Sequence, residues 1–159
     1  MIYTVTFNPA LDYTLRLDNL IAGHIHRTTE ESFYAGGKGI NVSNVLTQLD
    51  IPNVALGFIA GFTGDEIERL VNILGIKPEF IRMPAGNSRV NVKIRSADGT
   101  ETDINARGCS IDADSLNQFY TKIGDLKSED YLILSGSIPN SLPSDIYETI
   151  LQKLSTLIA

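Results

Sequence analysis

A glycine-rich segment is the part of the sequence best suited to bind a ligand. It reads Ala35-Gly36-Gly37-Lys38-Gly39-Ile40-Asn41 and runs directly into a stretch that predicts a helix. Glycines let the backbone approach a ligand closely, and a helix start offers free N–H groups and the positive end of a dipole. The segment therefore favours an anion or a cluster of hydroxyls, with Lys38 as a mobile charge. A glycine-rich turn with a solvated lysine explains the same residues equally well.

Two common nucleotide motifs are absent from this segment. The sequence has no Gly-x-x-x-x-Gly-Lys-Ser/Thr loop and no Gly-x-Gly-x-x-Gly opening. A Walker-type phosphate loop and a dinucleotide-binding turn are therefore disfavoured.

Four stretches of the chain have the apolar spacing of an amphipathic helix, with one stripe expected to be buried. The stripes are Val42, Val45, Leu46 and Leu49; Ile67, Leu70, Val71 and Leu74; Leu116, Phe119, Tyr120 and Ile123; and Tyr147, Ile150, Leu151 and Leu154. Thr63 and Glu66 have capping-box spacing at the start of the second helix, and Asp112 is the predicted N-cap of the third.

Short apolar runs lie between these helices. Residues 2–7, 54–59 and 131–134 predict strands that are covered on both faces. Strands that alternate with helices form a parallel sheet, so the predicted fold class is a three-layer α/β fold.

Two segments depart from this alternation of strands and helices. Residues 89–95 alternate strictly, with Val90, Val92 and Ile94 on one face and charged or polar residues on the other, and Asp98-Gly99 follows as a turn. Residues 10–34 are too long for an ordinary loop. Both segments predict strands of a small second sheet, which we call the lid. Its strands are expected within residues 10–35 and 87–108, and the alternating strand is expected to have one solvated face.

Composition and charge exclude several classes of function. A chain of 159 residues with 43% hydrophobic residues can bury a core, so one domain over 1–159 is expected. A net charge of −6 argues against nucleic-acid and anionic membrane surfaces. The single Cys109 indicates a reducing compartment, and neither it nor His24 or His26 has a partner at metal-binding or nucleophile spacing. We expect no metal site, and we expect a soluble cytoplasmic protein.

Five segments, in this order and spacing, resemble the PfkB/ribokinase family of carbohydrate kinases. They are TVTFNPALD at 4–12, AGGKGINVS at 35–43, LGFIAGFTG at 56–64, SRVNVK at 88–93 and SGSIP at 135–139. The resemblance is greatest to the 1-phosphofructokinases of the family, followed by its tagatose-6-phosphate kinases. It implies the ribokinase-like form of the three-layer fold, with its protruding lid.

The resemblance also implies a substrate site. Asp12 would accept hydrogen bonds from sugar hydroxyls, for which an ionised carboxylate is suited. Arg89 would grip a phosphate with its guanidinium fork, and an acidic protein needs such local positive charge. The full set of implied substrate-binding residues is Asp12, Gly36, Gly37, Lys38, Asn41, Arg27, Arg89, Arg107 and Ser137. Without the resemblance, Asp12 reads as a turn residue, Arg89 as a solvated strand charge and Ser137 as part of a tight turn.

The implied activity is ATP- and Mg-dependent phosphorylation of fructose 1-phosphate to fructose 1,6-bisphosphate. The alternatives are tagatose 6-phosphate or fructose 6-phosphate as substrate, or a non-catalytic module that binds sugar phosphates.

The resemblance implies that the catalytic residue lies outside this sequence. The catalytic Asp of the family lies in a Gly-x-Gly-Asp segment, which this sequence lacks, since neither Gly64-Asp65 nor Gly124-Asp125 has the preceding Gly-x. We therefore expect that Asp to lie beyond Ala159, with no catalytic residue among residues 1–159 and the ATP-binding carboxyl-terminal half absent. We also expect the 159 residues alone to be inactive and the lid strands to pair in a homodimer.

Overall fold

The computed structural model describes residues 1–158, with side chains through residue 154. Its elements follow a strand-helix order that is interrupted by lid strands. They are β1 Ile2–Thr6, β2 Ala10–Leu17, β3 Glu30–Gly36, α1 Lys38–Gln48, β4 Asn53–Ile59, α2 Gly61–Ile73, β5 Lys77–Pro78, β6 Ile81–Arg82, β7 Arg89–Ser96, β8 Glu101–Asn105, α3 Ala113–Gly124, β9 Tyr131–Leu134 and α4 Ile146–Ile158. Ala159, beyond which the catalytic Asp is expected, lies outside the described residues.

The main sheet is parallel and has helices on both faces. Its order is β5-β4-β1-β9, and β6 also pairs with β4. One core cluster joins the sheet to α3 and α4 through Phe119, Ile123, Ile146 and Ile150, and a second joins it to α1 and α2 through Ile40, Ile67 and Val71. The predicted three-layer α/β fold is confirmed.

The second sheet is the predicted lid, with the order β3-β2-β7-β8. Strand β2 pairs antiparallel with β3 and parallel with β7, although 71 residues separate Leu17 from Arg89. The register places Asn91 beside Asp12 and Lys93 beside Thr14. Since side chains alternate along a strand, Asp12, Asn91 and Lys93 share one face of the lid.

The helix stripes agree with the structure in part. In α3 the predicted stripe is correct, and the Asp112 carboxylate accepts a hydrogen bond from the Ser115 N–H at 2.7 Å, as predicted for its N-cap. The cap predicted for α2 is wrong, because the helix begins at Gly61 and the buried Thr63 hydroxyl donates to the Ser88 carbonyl at 2.8 Å.

The predicted stripe of α1 is wrong in phase. Val45 and Leu49 are exposed, whereas Gly39, Ile40 and Ser43 are buried. The reason lies in the polar contacts that the helix makes with β1: the Ser43 and Thr4 hydroxyls are 2.6 Å apart, which turns the polar side of the helix inward. Leu74 of the second stripe and Leu151 of the fourth are likewise exposed.

This phase has a testable consequence. We expect Ile40→Ala to lower the free energy of unfolding by about 2–5 kcal/mol, since a buried side chain of this size leaves a cavity. Leu49→Ala, the matched control at an apolar position that is 63% exposed, should change it by less than about 0.5 kcal/mol. Urea unfolding followed by circular dichroism measures both values. Equal losses of unfolding free energy in the two variants would support the buried stripe predicted from the sequence.

Candidate functional site

A cavity of about 340 Å³ opens where the carboxyl ends of the main-sheet strands meet the lid. In parallel sheets this is where ligands usually bind. Its wall comes from the ends of β1 and β9, from the start of α1 and from one face of the lid. The lining residues are Thr6, Asn8, Asp12, Gly37, Lys38, Asn41, Arg89, Asn91, Lys93, Gly136 and Ser137.

Glycines bring the start of α1 against β1. Gly37 has a φ of 136°, in the region that favours glycine, and a Cβ added at Gly39 would lie 2.5 Å from the Val5 carbonyl oxygen. The Ile40 N–H donates to the Thr6 hydroxyl at 3.0 Å. The N-cap residue Gly37 provides no side-chain cap, so the helix start borders the cavity and its dipole favours negative charge there.

Asp12 is held by two partners on β7. Asn91 Nδ2 donates to Asp12 Oδ1 at 2.9 Å, and Lys93 Nζ lies 2.9 Å from Asp12 Oδ2. The Asp12 side chain is 13% exposed. Gly36 makes room for it, because a Cβ added at Gly36 would lie 2.6 Å from Asp12 Oδ2. The carboxylate is therefore fixed at the wall of the cavity, between the lid and the glycine-rich segment.

Arg89 lies at the base of the lid and is half-buried. Its Nε donates to the Asn8 carbonyl at 3.0 Å, and its terminal nitrogens have no hydrogen-bond or ion-pair partner among the described residues. Burial lowers the pKa of Arg89, while the charge of Asp12 opposes that shift. An arginine starts so far above neutral pH that it keeps its proton, so the guanidinium is a cation with free donors.

The cavity is electropositive within an acidic protein. Lys38, Arg89 and Lys93 provide three cations against the single carboxylate of Asp12, whereas the whole chain has a net charge of −6. A lining with this balance suits a ligand that carries both hydroxyl groups and an anionic group.

Most of the predicted site residues come together in this cavity. Asp12, Gly37, Lys38, Asn41, Arg89 and Ser137 line it, and Gly36 contacts Asp12 from behind. Ser137 follows β9 through Gly136, which has a positive φ of 100° and lies close to Lys38.

Two predicted residues do not line the cavity in this chain. Arg27 is exposed in the connection between β2 and β3 and does not line the cavity. This connection begins beyond the paired residues Arg16 and Glu30, and Arg16 is four residues along the strand from Asp12. That is about 13 Å of strand. Arg107 is exposed, and only its carbonyl approaches the site, by accepting a hydrogen bond from the Asn8 amide at 2.9 Å.

Five lining residues were missing from the predicted set: Thr6, Asn8, Asn91, Lys93 and Gly136. The alternation in β7 placed Asn91 and Lys93 on the same face as Arg89, but that face was interpreted as solvated. The structure corrects this, since Asn91 is 5% exposed. The signal was available, because a face that carries one ligand-binding arginine carries its neighbours at i+2 and i+4 as well.

Residues 1–158, the described part of the chain, offer neither a metal-binding cluster nor a membrane-spanning helix. No group of three or more His, Cys, Asp or Glu side chains in this range could hold a metal ion. None of the helices in it has the length and apolar character needed to cross a membrane.

Comparison with known proteins decides the family. The model of the pfkB family of carbohydrate kinases matches residues 5–156. The chain belongs to this family. It is 39% identical to the 1-phosphofructokinase of Bacillus subtilis over 150 residues, which is 94% of this chain and 48% of that protein. It is 36% identical to the D-tagatose-1-phosphate kinase of Bacillus licheniformis over 147 residues, 92% of this chain and 47% of that protein.

A solved structure confirms the ribokinase-like arrangement of this pfkB chain. A Staphylococcus aureus protein assigned as a phosphofructokinase superimposes with a TM-score of 0.90 at 42% identity, over 100% of this chain and 51% of that one. The pfkB chain therefore spans about half the length of the relatives it matches. The resemblance inferred from the five segments is confirmed, and so is the fold class.

Proposed function

We propose that this chain forms the sugar-phosphate half of a 1-phosphofructokinase, and that the whole protein transfers a phosphoryl group from ATP to fructose 1-phosphate. The observation that carries this proposal is the cavity in which one fixed carboxylate faces three cations. A sugar phosphate offers the complementary groups, because its hydroxyls donate to a carboxylate and its phosphate accepts from an arginine. The names of the relatives support a ketohexose phosphate.

The lining residues suggest how such a ligand would bind. We assign the sugar hydroxyls to Asp12, Asn41 and the backbone of Gly36 and Gly37, and the phosphate to Arg89 and Lys38. Ser137 would lie near the phosphates. Arg27 and Arg107 do not line the cavity, and we assign them no contact within this chain.

The catalytic Asp, which would accept the proton of the attacking sugar hydroxyl, is proposed to lie beyond Ala159, outside these 159 residues. The cavity contains a single carboxylate, which is already paired with Lys93, so its donor set does not fit Mg²⁺. Phosphoryl transfer depends on positioning and on stabilising the transferred group, so we expect no turnover from the chain alone.

The lid is also proposed to pair with a second copy. Phe33 and Ile104 are exposed, and the register places both on the lid face opposite to Asp12, in one row with Tyr13 and Val92. An exposed apolar sheet face of this kind favours association.

Isothermal titration calorimetry of the chain tests the ligand. We expect fructose 1-phosphate to bind at least about tenfold more tightly than fructose or inorganic phosphate alone, since each fragment lacks one set of contacts. Equal or tighter binding of fructose 6-phosphate or tagatose 6-phosphate would favour those alternative substrates. If a cooperatively melting chain binds none of these sugars, the proposal is wrong.

A non-catalytic binding module remains the second candidate, because it needs only the cavity described above. The coding sequence after the codon for Ala159 separates the two candidates. A reading frame that continues into a Gly-x-Gly-Asp segment supports the kinase, and a frame that stops there supports the module.

A further inference from the structure

Strand β7 carries two residues beside Asp12 to which the proposed function assigns no group of the ligand. Asn91 and Lys93 are two positions apart, so their side chains lie on the same face of the lid as Asp12. Each contacts a different oxygen of the carboxylate: Asn91 Nδ2 lies 2.9 Å from Oδ1, and Lys93 Nζ lies 2.9 Å from Oδ2. The carboxylate is thus held at both oxygens by one neighbouring strand.

This arrangement fixes the orientation of Asp12 and still leaves it able to bind. A carboxylate has about four lone-pair positions, and the two contacts use two of them. The remaining positions can accept hydrogen bonds from ligand hydroxyls without a change in the Asp12 rotamer. Pre-organisation of this kind lowers the entropy cost of binding.

The other end of the Asn91 side chain indicates that this residue is not there for packing. Asn91 is 5% exposed, yet its Oδ1 has no hydrogen-bond partner among the described residues. A buried amide with one unpaired end costs stability, whereas an aliphatic side chain of the same shape would not. Its one polar contact that offsets this cost is the one to Asp12.

We propose that Asn91 and Lys93 are positioning residues that act through Asp12. They hold its carboxylate in the orientation that accepts sugar hydroxyls, so their contribution to affinity exists only while the carboxylate is present. The inference rests on the proposed function, because it takes Asp12 as the sugar-binding group.

Direct binding of the ligand phosphate by Lys93 is the competing interpretation. Lys93 lines the cavity, and its side chain is 29% exposed, so a phosphate could reach it. The two interpretations differ in one measurable respect. Direct binding predicts weaker binding of inorganic phosphate once the lysine is removed, whereas positioning through Asp12 predicts no change.

Double-mutant cycles in the full chain test the proposal by calorimetry with fructose 1-phosphate. We expect Lys93→Met and Asn91→Leu each to weaken binding by about ten- to a hundredfold in the wild-type chain, and by less than about twofold in an Asp12→Asn background. Lys77→Met is the matched control, because Lys77 lies on β5, outside the cavity lining, and pairs with Glu79. It should leave the affinity unchanged.

The melting temperature distinguishes a positioning role from a purely structural one, because loss of a structural residue would lower it. We expect Asn91→Leu to change the melting temperature little while it weakens binding, because removal of the unpaired Oδ1 offsets the loss of the hydrogen bond to Asp12. Losses that persist in the Asp12→Asn background would overturn the proposal, as would a parallel loss of inorganic phosphate binding in Lys93→Met. If the wild-type chain melts cooperatively but does not bind fructose 1-phosphate, it is the proposed function that fails.

Discussion

Replacement of Arg89 by glutamine is expected to weaken the binding of fructose 1-phosphate by about a hundredfold or more, because two charge-assisted hydrogen bonds to the phosphate would be lost. The geometry supports this size of effect. Nε of Arg89 is bound to the Asn8 carbonyl, which fixes the guanidinium plane, and the terminal nitrogens have no partner among the described residues. A fixed fork with free donors suits a phosphate, which accepts two parallel hydrogen bonds. Titration calorimetry measures the affinity.

Arg95→Gln is the matched control for this experiment. Arg95 lies on the same strand and the same face, but its guanidinium is paired with Glu101 and Asp103, and it does not line the cavity. We expect its replacement to change the affinity by less than about threefold, because Arg95 lies outside the cavity and its charge is already paired. Similar losses in the two variants would show that the lid contributes general positive charge and that Arg89 has no specific contact.

Gly39→Ala is expected to destabilise the chain by about 3 kcal/mol and to abolish ligand binding. Its Cβ would lie 2.5 Å from the Val5 carbonyl oxygen and 2.5 Å from the Thr6 hydroxyl, so the start of α1 must move away from β1. Overpacking of this kind strains a core by several kcal/mol. Here the clash is partly with a backbone carbonyl, which cannot avoid it by a change of rotamer. Urea unfolding gives the loss of stability.

Gly124→Ala makes the same substitution where space is open. Gly124 is the last residue of α3, and no atom lies within 4 Å of the Cβ position. We expect it to raise stability by about 0.5–1 kcal/mol, because alanine restricts the unfolded chain and favours the helix. A small loss at Gly39, comparable to the change at Gly124, would mean that α1 does not lie against β1 as described.

Much of this fold could be predicted from local patterns. The stripe of α3 was correct in every residue because a single apolar face packs on the sheet around Phe119. Residues 89–95 were recognised as a strand because alternation is a local property. The glycine-rich segment was recognised because it combines glycines with a helix start, and both features are visible within seven residues.

The failures have a common physical cause, which is that polar contacts over long sequence distances decide which face turns inward. In α1 the Ser43 hydroxyl meets the Thr4 hydroxyl, a pairing across 39 residues that apolar periodicity does not register. In β7 the pattern defined two faces correctly, but the pairing with β2 made the polar face the wall of the cavity and buried Asn91. Periodicity identifies the members of a face and cannot identify its partner.

The parallel pairing of β2 with β7 also bears on the order in which the chain folds. The two strands are joined through β3, α1, β4, α2, β5 and β6, so their pairing closes a long loop of the chain. Contacts between residues so far apart in sequence form slowly, because the entropy of loop closure is lost before the contacts form. We therefore expect Asp12 and Arg89 to come together late in folding, and a nascent chain can complete this cavity only once β7 has been synthesised.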